Sequence, residues 1–196
     1  MTKKELRVEM RKRRSTLSVE RILLYSGCIT DFLIHTTEYA NATTILAYAS
    51  FSSEVDTHFL IQKAWHDGKK VAVPKCISNT EMQFEYIERF EDMAPGKYGI
   101  QEPTTGRTVS FENELCIILL PCVGYTGKGD RLGYGGGYYD RFLKQHTDIP
   151  RILLAYSMQE IDVLPNDEMD VPADIIISEV GVIRTKAKTD SMKGEQ

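Results

Sequence analysis

Short, unbroken apolar runs punctuate this chain, each too brief for a buried helix and each bounded by turn or helix signals. Thr44-Ile45-Leu46-Ala47-Tyr48-Ala49 and Leu115-Cys116-Ile117-Ile118-Leu119-Leu120 lack any polar alternation, and Ile152 to Tyr156 and Ile175 to Ile177 repeat the pattern. A strand with one wet face alternates, whereas a strand without alternation is covered on both faces. Between the first run and Lys70-Val71-Ala72-Val73-Pro74 lies a helical pattern, Phe59, Leu60, Ala64 and Trp65, with Thr57 as N-cap and Gly68 as stop. A strand, a crossover helix and a second strand within about thirty residues predict parallel pairing with a right-handed crossover.

The expected fold is therefore α/β: a single-domain three-layer sandwich, with a mostly parallel central sheet flanked by helices. Helices are predicted over 2–15, from the N-cap Ser18 through Ile22, Tyr25, Ile29, Phe32 and Leu33, and over 137–146. Met82 to Ile87 alternates like a strand with one wet face, and Pro95 to Pro103 reads as a turn-rich loop. The domain is expected to span 1–183. From Arg184 on, Lys, Thr, Asp, Ser and Gly without apolar partners predict a flexible tail over 184–196.

Charge and cysteine use narrow the function classes. A formal net charge of −4 over 196 residues argues against a general nucleic-acid binder. Residues 1–14 nevertheless carry Lys3, Lys4, Arg7, Arg11, Lys12, Arg13 and Arg14 against Glu5 and Glu9, a local surplus of positive charge on one predicted helix. Cys28, Cys76, Cys116 and Cys122 form no CxxC pair and have no histidines at zinc spacing. They read as reduced thiols of a cytoplasmic protein, Cys116 and Cys122 packing as small hydrophobes. No signal-peptide pattern opens the chain, and no apolar run approaches the roughly 20 residues that span a bilayer.

The chemistry concentrates in Arg131-Leu132-Gly133-Tyr134-Gly135-Gly136-Gly137-Tyr138-Tyr139-Asp140-Arg141, where four of the fourteen glycines fall. Such density permits positive φ and close approach of the backbone to a ligand. Successive amide N–H groups then form a nest for anions, and arginine adds bidentate phosphate recognition. The string fits neither the P-loop GxxxxGK[ST] nor the dinucleotide GxGxxG, since Tyr138 occupies the sixth position from Gly133. Glycines alone would read as a packing turn; Arg131, Asp140 and Arg141 around them point to phosphate. Lys3 and Arg7, four apart, share a helix face and suit a second phosphate clamp.

Two acidic groups flank strand ends. In Ser52-Ser53-Glu54-Val55-Asp56-Thr57, Asp56 is assigned mainly to helix capping, while local evidence leaves Glu54 open. Asp167, Glu168, Asp170 and Asp174 form an acidic loop, and Asp140 with one of them could hold Mg2+, whose octahedral shell takes one or two carboxylates plus phosphates. His35, His58, His66 and His146 have no motif context.

In order, Lys3-Lys4-Glu5-Leu6-Arg7, the strand end through Glu54, Gly99-Ile100-Gln101-Glu102-Pro103, Leu120-Pro121, Arg131 to Arg141, Leu164-Pro165 and Asp170-Val171-Pro172-Ala173-Asp174 resemble the 5-formyltetrahydrofolate cyclo-ligase (5,10-methenyltetrahydrofolate synthetase) family. The likeness runs from Lys3 to about Glu179, with one departure: Met169 stands where many relatives have histidine. It implies an enzyme that couples ATP hydrolysis to closure of 5-formyltetrahydrofolate into 5,10-methenyltetrahydrofolate. It further implies ATP contacts from Lys3, Lys4, Arg7 and the stretch Arg131, Leu132, Gly133, Tyr134, Gly135, Gly136, Gly137, Tyr138 and Tyr139. Arg7, Ala49, Glu54, Tyr98, Tyr134, Gly135, Gly136, Gly137 and Tyr138 would line the folate side. Asp140 and Asp170 would hold Mg2+, with Glu54, Arg131 and Tyr138 as the catalytic set.

The implied chemistry needs no enzyme nucleophile, which agrees with the lack of a Ser–His or Cys–His pattern. Expected partners are the folate and ATP, without nucleic acid or membrane, in a monomer or weak dimer. A sugar-phosphate isomerase on a similar sheet would instead need a proton-abstracting base and no ATP, and a nucleic-acid module would need basic residues beyond one helix.

Overall fold

The structure, a computed structural model, describes residues 1–165 and 167–185, with all their side chains except that of Tyr98. Beyond residue 185 the expected tail lies outside the described residues. In chain order, α1 (Lys3–Arg14), α2 (Val19–Ile34) and α3 (Thr37–Asn41) lead to β1 (Thr44–Leu46), and α4 (His58–His66) connects it to β2 (Lys70–Cys76). β3 (Met82–Ile87), β4 (Met93–Pro95), β5 (Gln101–Pro103), β6 (Cys116–Leu120), β7 (Gly124–Tyr125) and β8 (Arg131–Leu132) follow. The remaining elements are α5 (Tyr138–Gln145), β9 (Arg151–Leu154), β10 (Ile175–Ser178) and β11 (Gly181–Arg184).

Seven strands form the central sheet in the order β11-β10-β9-β6-β1-β2-β3. β10, β9, β6, β1 and β2 run parallel, while β3 and β11 pair antiparallel at the two edges. The unbroken apolar runs have the cause inferred from sequence. Ile45, Val71, Ile117, Ile152 and Ile175 face α2 and α4, through Ile29, Leu33, Leu60 and Ile61. Their neighbours Leu46, Ala72, Ile118, Leu153 and Ile176 face α5, through Phe142 and Leu143. Burying both faces makes the alternating pattern of a half-wet strand unnecessary.

Several boundaries differ from the sequence-based expectation. The run 44–49 leaves the ladder after Leu46, with the Ala47 N–H still donating to the Ala72 carbonyl at 2.9 Å. Thr57 does not cap α4 with its side chain; its hydroxyl donates to the Tyr48 carbonyl at 2.6 Å, and Asp56 Oδ1 accepts from the His58 N–H at 2.9 Å instead. Arg184 completes an antiparallel edge strand, and its guanidinium pairs with Glu38 on α3 at 2.6 Å. α3 and the two-residue pairing of β7 with β8 lie where no element was expected.

Strand order reverses beside β1: the chain moves from β1 to β2 on one side and later inserts β6 on the other. The loops leaving the carboxyl ends of β1 and β6 must therefore diverge and leave a crevice, the usual ligand position in an open α/β sheet. α1 packs across this end of the sheet, burying Leu6 and Met10 against Val123, Leu132 and Leu164.

Candidate active site

The crevice is a cleft of about 1090 Å3, walled by α1, the loop after β1, the glycine loop before α5 and the acidic loop 167–170. Each wall follows from local sequence. α1 is capped by a reciprocal box: Thr2 accepts from the Glu5 N–H at 3.3 Å and Glu5 accepts from the Thr2 N–H at 2.8 Å. Its apolar pair Leu6 and Met10 is buried. That seating turns Lys3, Arg7, Arg11 and Arg14 to the cleft, whereas Lys4, one residue along, is exposed and outside the lining.

The glycine loop is fixed from two sides. Arg7 Nε donates to the Gly133 carbonyl at 2.8 Å, while Arg141 donates to the Gly136 carbonyl at 2.6 Å and to the Thr80 carbonyl at 2.5 Å. Gly137 opens α5 in the left-handed region at φ 66°, and an added Cβ there would meet the Arg141 guanidinium at 2.6 Å. The N-cap of α5, a glycine, supplies no side-chain cap, so among the described residues the first amides of its positive end remain open to a ligand anion. Tyr138 turns toward the β2–β3 connection: its hydroxyl accepts from Lys97 at 3.0 Å and donates to the Ser78 carbonyl at 3.2 Å.

Arg131 lies beneath this loop with a side chain only 4% exposed. It pairs with Asp140 at 2.7 Å, yet among the described residues its Nε has no partner, and neither has the hydroxyl of adjacent Tyr139. Unpartnered buried donors at the floor of a cleft are what a ligand's phosphoryl oxygens would satisfy. On the facing wall, Lys3 pairs with Asp170 at 2.5 Å. The Val171 N–H donates to Asp140 at 3.3 Å, which brings the two acidic segments together.

Each carboxylate thus retains one oxygen, Asp140 Oδ2 and Asp170 Oδ1, without a hydrogen-bond partner among the described residues. No three His, Cys, Asp or Glu groups converge as a metal cage among the described residues. The donor set suits a hard cation that completes its shell from phosphate and water, the habit of Mg2+. Asp174 is excluded from the pair, because Arg151 holds it at the far end of β9 and β10 with contacts of 2.6 and 3.0 Å.

Glu54, expected on the folate side, is 8% exposed and lines the cleft together with Ala49. One oxygen accepts from the Phe51 N–H at 2.8 Å and the other from the Tyr134 hydroxyl. Burial pushes its carboxyl above the ordinary value, an effect opposed by these hydrogen bonds and by the Arg14 charge. The Tyr98 side chain lies outside the described residues, so its predicted stacking position has no structural account. Leu132 is buried behind the glycine loop.

Sequence reasoning missed Arg14, Phe51 and Lys97, all of which line the cleft. Arg14 carried a readable signal: it lies seven residues after Arg7, two helical turns along the same face. Phe51, half exposed at the mouth, had none. None of the four histidines lines the cleft, and His146 packs against Phe111 and Phe142. Burial pushes the Cys122 thiol up to about 12, which makes it a packing group rather than a nucleophile.

Comparison with known proteins converges on one family. The model of the 5-formyltetrahydrofolate cyclo-ligase family matches residues 1–179. The 5-formyltetrahydrofolate cyclo-ligase of Haemophilus influenzae is 33% identical over 181 residues, covering 89% of this chain and 97% of that protein. The NMR structure of Aquifex aeolicus 5,10-methenyltetrahydrofolate synthetase superimposes with a TM-score of 0.82 at 32% identity, covering 95% of this chain and 94% of the other. A structure of a 5,10-methenyltetrahydrofolate synthetase from Mycoplasma pneumoniae gives a TM-score of 0.74 at 30% identity, covering 91% and 99%.

Proposed function

The chain belongs to the 5-formyltetrahydrofolate cyclo-ligase family, and we propose that it closes 5-formyltetrahydrofolate into 5,10-methenyltetrahydrofolate with ATP and Mg2+, releasing ADP and phosphate. The observation that carries this reading is one cleft in which a phosphate-binding set and a buried carboxylate face each other. Lys3, Arg7, Arg131 and the glycine loop form the first, and Glu54 with Ala49 and Phe51 the second. At about 1090 Å3 the cleft stands at the upper end of the roughly 300–1,000 Å3 of ligand pockets.

A formamide oxygen is a poor leaving group, so ring closure needs that oxygen converted to a phosphate ester first. The formyl oxygen attacks the γ-phosphorus of ATP, ADP departs, and a phosphorylated iminium forms. N10 then attacks the activated carbon, its proton is lost, and inorganic phosphate leaves. Catalysis is therefore a matter of placing two ligands and neutralising the charge of a transferring phosphoryl group.

Lys3 and Arg7 bind the nucleotide phosphates from α1, and the amides of 133–138 bind them from the loop. Lys4, expected to contact ATP from the sequence, is exposed and outside the cleft lining. Arg131, already buried and desolvated, spends no reorganisation when charge develops over it. Asp140 and Asp170 would hold Mg2+, which when bound supplies charge neutralisation at the phosphate oxygens. Tyr134, Tyr138 and Ala49 border the folate, and Tyr138 is kept in place by Lys97. Glu54 orients the N10–H and takes its proton; its raised pKa makes it a better base than an ordinary exposed carboxylate.

Incubating the protein with 5-formyltetrahydrofolate, Mg2+ and ATP, and following the near-ultraviolet absorbance of the methenyl product, tests the reading. Product that depends on ATP is expected. Absence of product, or equal product without ATP, would overturn it.

A further inference from the structure

Arg14 is the least expected group in the cleft. It ends α1, is only 5% exposed, and spends every guanidinium nitrogen on a different segment. Nε donates to Ser53 Oγ at 3.1 Å, one terminal nitrogen to the Cys122 carbonyl at 3.0 Å, and the other to the Tyr134 hydroxyl at 2.8 Å. That same hydroxyl donates to Glu54 Oε1. A phenol that accepts from a guanidinium is polarised to donate more strongly to the carboxylate beyond it. The Tyr134 ring is further held by Arg11 at 5.2 Å and Arg14 at 5.8 Å.

We propose that Arg14 is a positioning residue which, through Tyr134, holds the Glu54 carboxylate ionised and aimed into the cleft. The inference rests on the reading of Glu54 as the base for N10. It gives the N-terminal helix a second task besides phosphate binding: the element that presents Lys3 and Arg7 to one ligand also orients the carboxylate that serves the other. Glu54 would otherwise stand against groups that do not favour its charge. From the segments that follow β1 and β6 and from α5, the phenols of Tyr48 and Tyr139 and the thiol of Cys122 lie around it, while the Tyr156 hydroxyl donates to its backbone carbonyl at 2.9 Å. Arg14 is the positive charge that reaches Glu54 in this surround. The pair therefore meets the general condition for a buried carboxylate to stay charged, an opposite charge with the intervening lone pairs satisfied.

The test uses the full chain with Tyr134→Phe, Arg14→Met and Arg14→Lys. The Glu54 carboxyl is titrated in the free protein by carbon NMR of labelled glutamate, assigned with Glu54→Gln, and kcat and KM are measured across pH. Removing the hydroxyl or the charge is expected to raise the Glu54 titration midpoint by about one pH unit. It should also move the acidic limb of kcat upward by the same amount, lowering kcat about tenfold at a pH on that limb, with little change in KM for ATP. Arg14→Lys, which keeps the charge, should return the limb toward its wild-type position. Should Arg14→Met not fold, Tyr134→Phe removes one hydroxyl only and carries the same comparison. An unmoved Glu54 titration in the folded variants overturns the proposal, as does a moved titration with an unmoved kcat limb. Because the titration needs no turnover, it decides the network even if wild-type protein makes no methenyl product, a result that would sink the cyclo-ligase reading instead.

Discussion

Lys3 and Asp170, 167 residues apart in sequence, meet at 2.5 Å across the mouth of the cleft. The lysine belongs to the helix proposed to bind phosphate and the carboxylate to the proposed metal pair, so in the free protein each neutralises the other. Arg131 and Asp140 repeat the arrangement at 2.7 Å on the floor. The cleft thus stores its charges as two ion pairs, and nucleotide phosphate with its cation would exchange partners with both. Such an exchange keeps the desolvation of each group compensated before and after binding.

Lys3→Met separates these two tasks. The Lys3–Asp170 pair is about one-quarter exposed on each side, so its loss should change the unfolding free energy by only about 0–1 kcal/mol. The KM for ATP should nevertheless rise about tenfold, because the phosphate contact is charge-assisted. Steady-state kinetics beside a denaturant titration read both numbers. An unchanged KM would remove Lys3 from the nucleotide site.

Asp140→Asn keeps the shape of the Arg131 contact and deletes the charge that a cation needs. The rate at limiting Mg2+ should fall about tenfold or more, and excess Mg2+ should restore part of it. Initial rates across a Mg2+ series measure this. Full activity at limiting Mg2+ would place the cation elsewhere.

Much of this architecture could be read from the residues, and the failures have physical causes. The parallel core was legible because β6, β9 and β10 are covered on both faces and so carry unbroken apolar runs. α3 was not, since a five-residue helix buries only Tyr39 and leaves no periodic stripe. Lys3 and Lys4 are equivalent in sequence; which one meets the cleft depends on how Leu6 and Met10 seat the helix, a tertiary fact. The same holds for Glu54, whose burial comes from Tyr134 and Arg14, 80 residues downstream and 40 upstream in the chain. The glycine string was legible as a lining of the cleft because backbone conformation, unlike side-chain burial, is written locally.

Gly137→Ala tests that local requirement. With φ at 66° and an added Cβ 2.6 Å from the Arg141 guanidinium, the substitution strains both the turn and the arginine that ties the loop to the Thr80 carbonyl. A loss of more than about 1 kcal/mol is expected in a guanidinium titration. ATP affinity should fall with it, since the first amides of α5 would shift. Equal stability and affinity in the variant would mean that the loop tolerates a different path.

Glu54 also gives a pH dependence whose sign is fixed by its environment. Burial raises its folded pKa above the ordinary 4.5, so the unfolded chain releases this proton more readily than the native protein does. The stability contributed by the protonated group is complete below the unfolded value near 4.5 and is lost as pH rises through the higher folded value. Wild type should accordingly gain stability relative to Glu54→Gln as pH falls through that window, although other carboxylates pull the absolute stability of both proteins downward. Paired thermal melts from neutral pH to about 4 measure the difference. A wild-type advantage that stays flat or shrinks on acidification would show that Glu54 titrates as an ordinary carboxyl. Activity should run the other way: if Glu54 is the proposed base, Glu54→Gln should lose about a hundredfold in kcat at neutral pH. A carboxylate that costs stability at the pH where the enzyme works, and is nevertheless held in the cleft by Tyr134 and Arg14, is placed there for its charge.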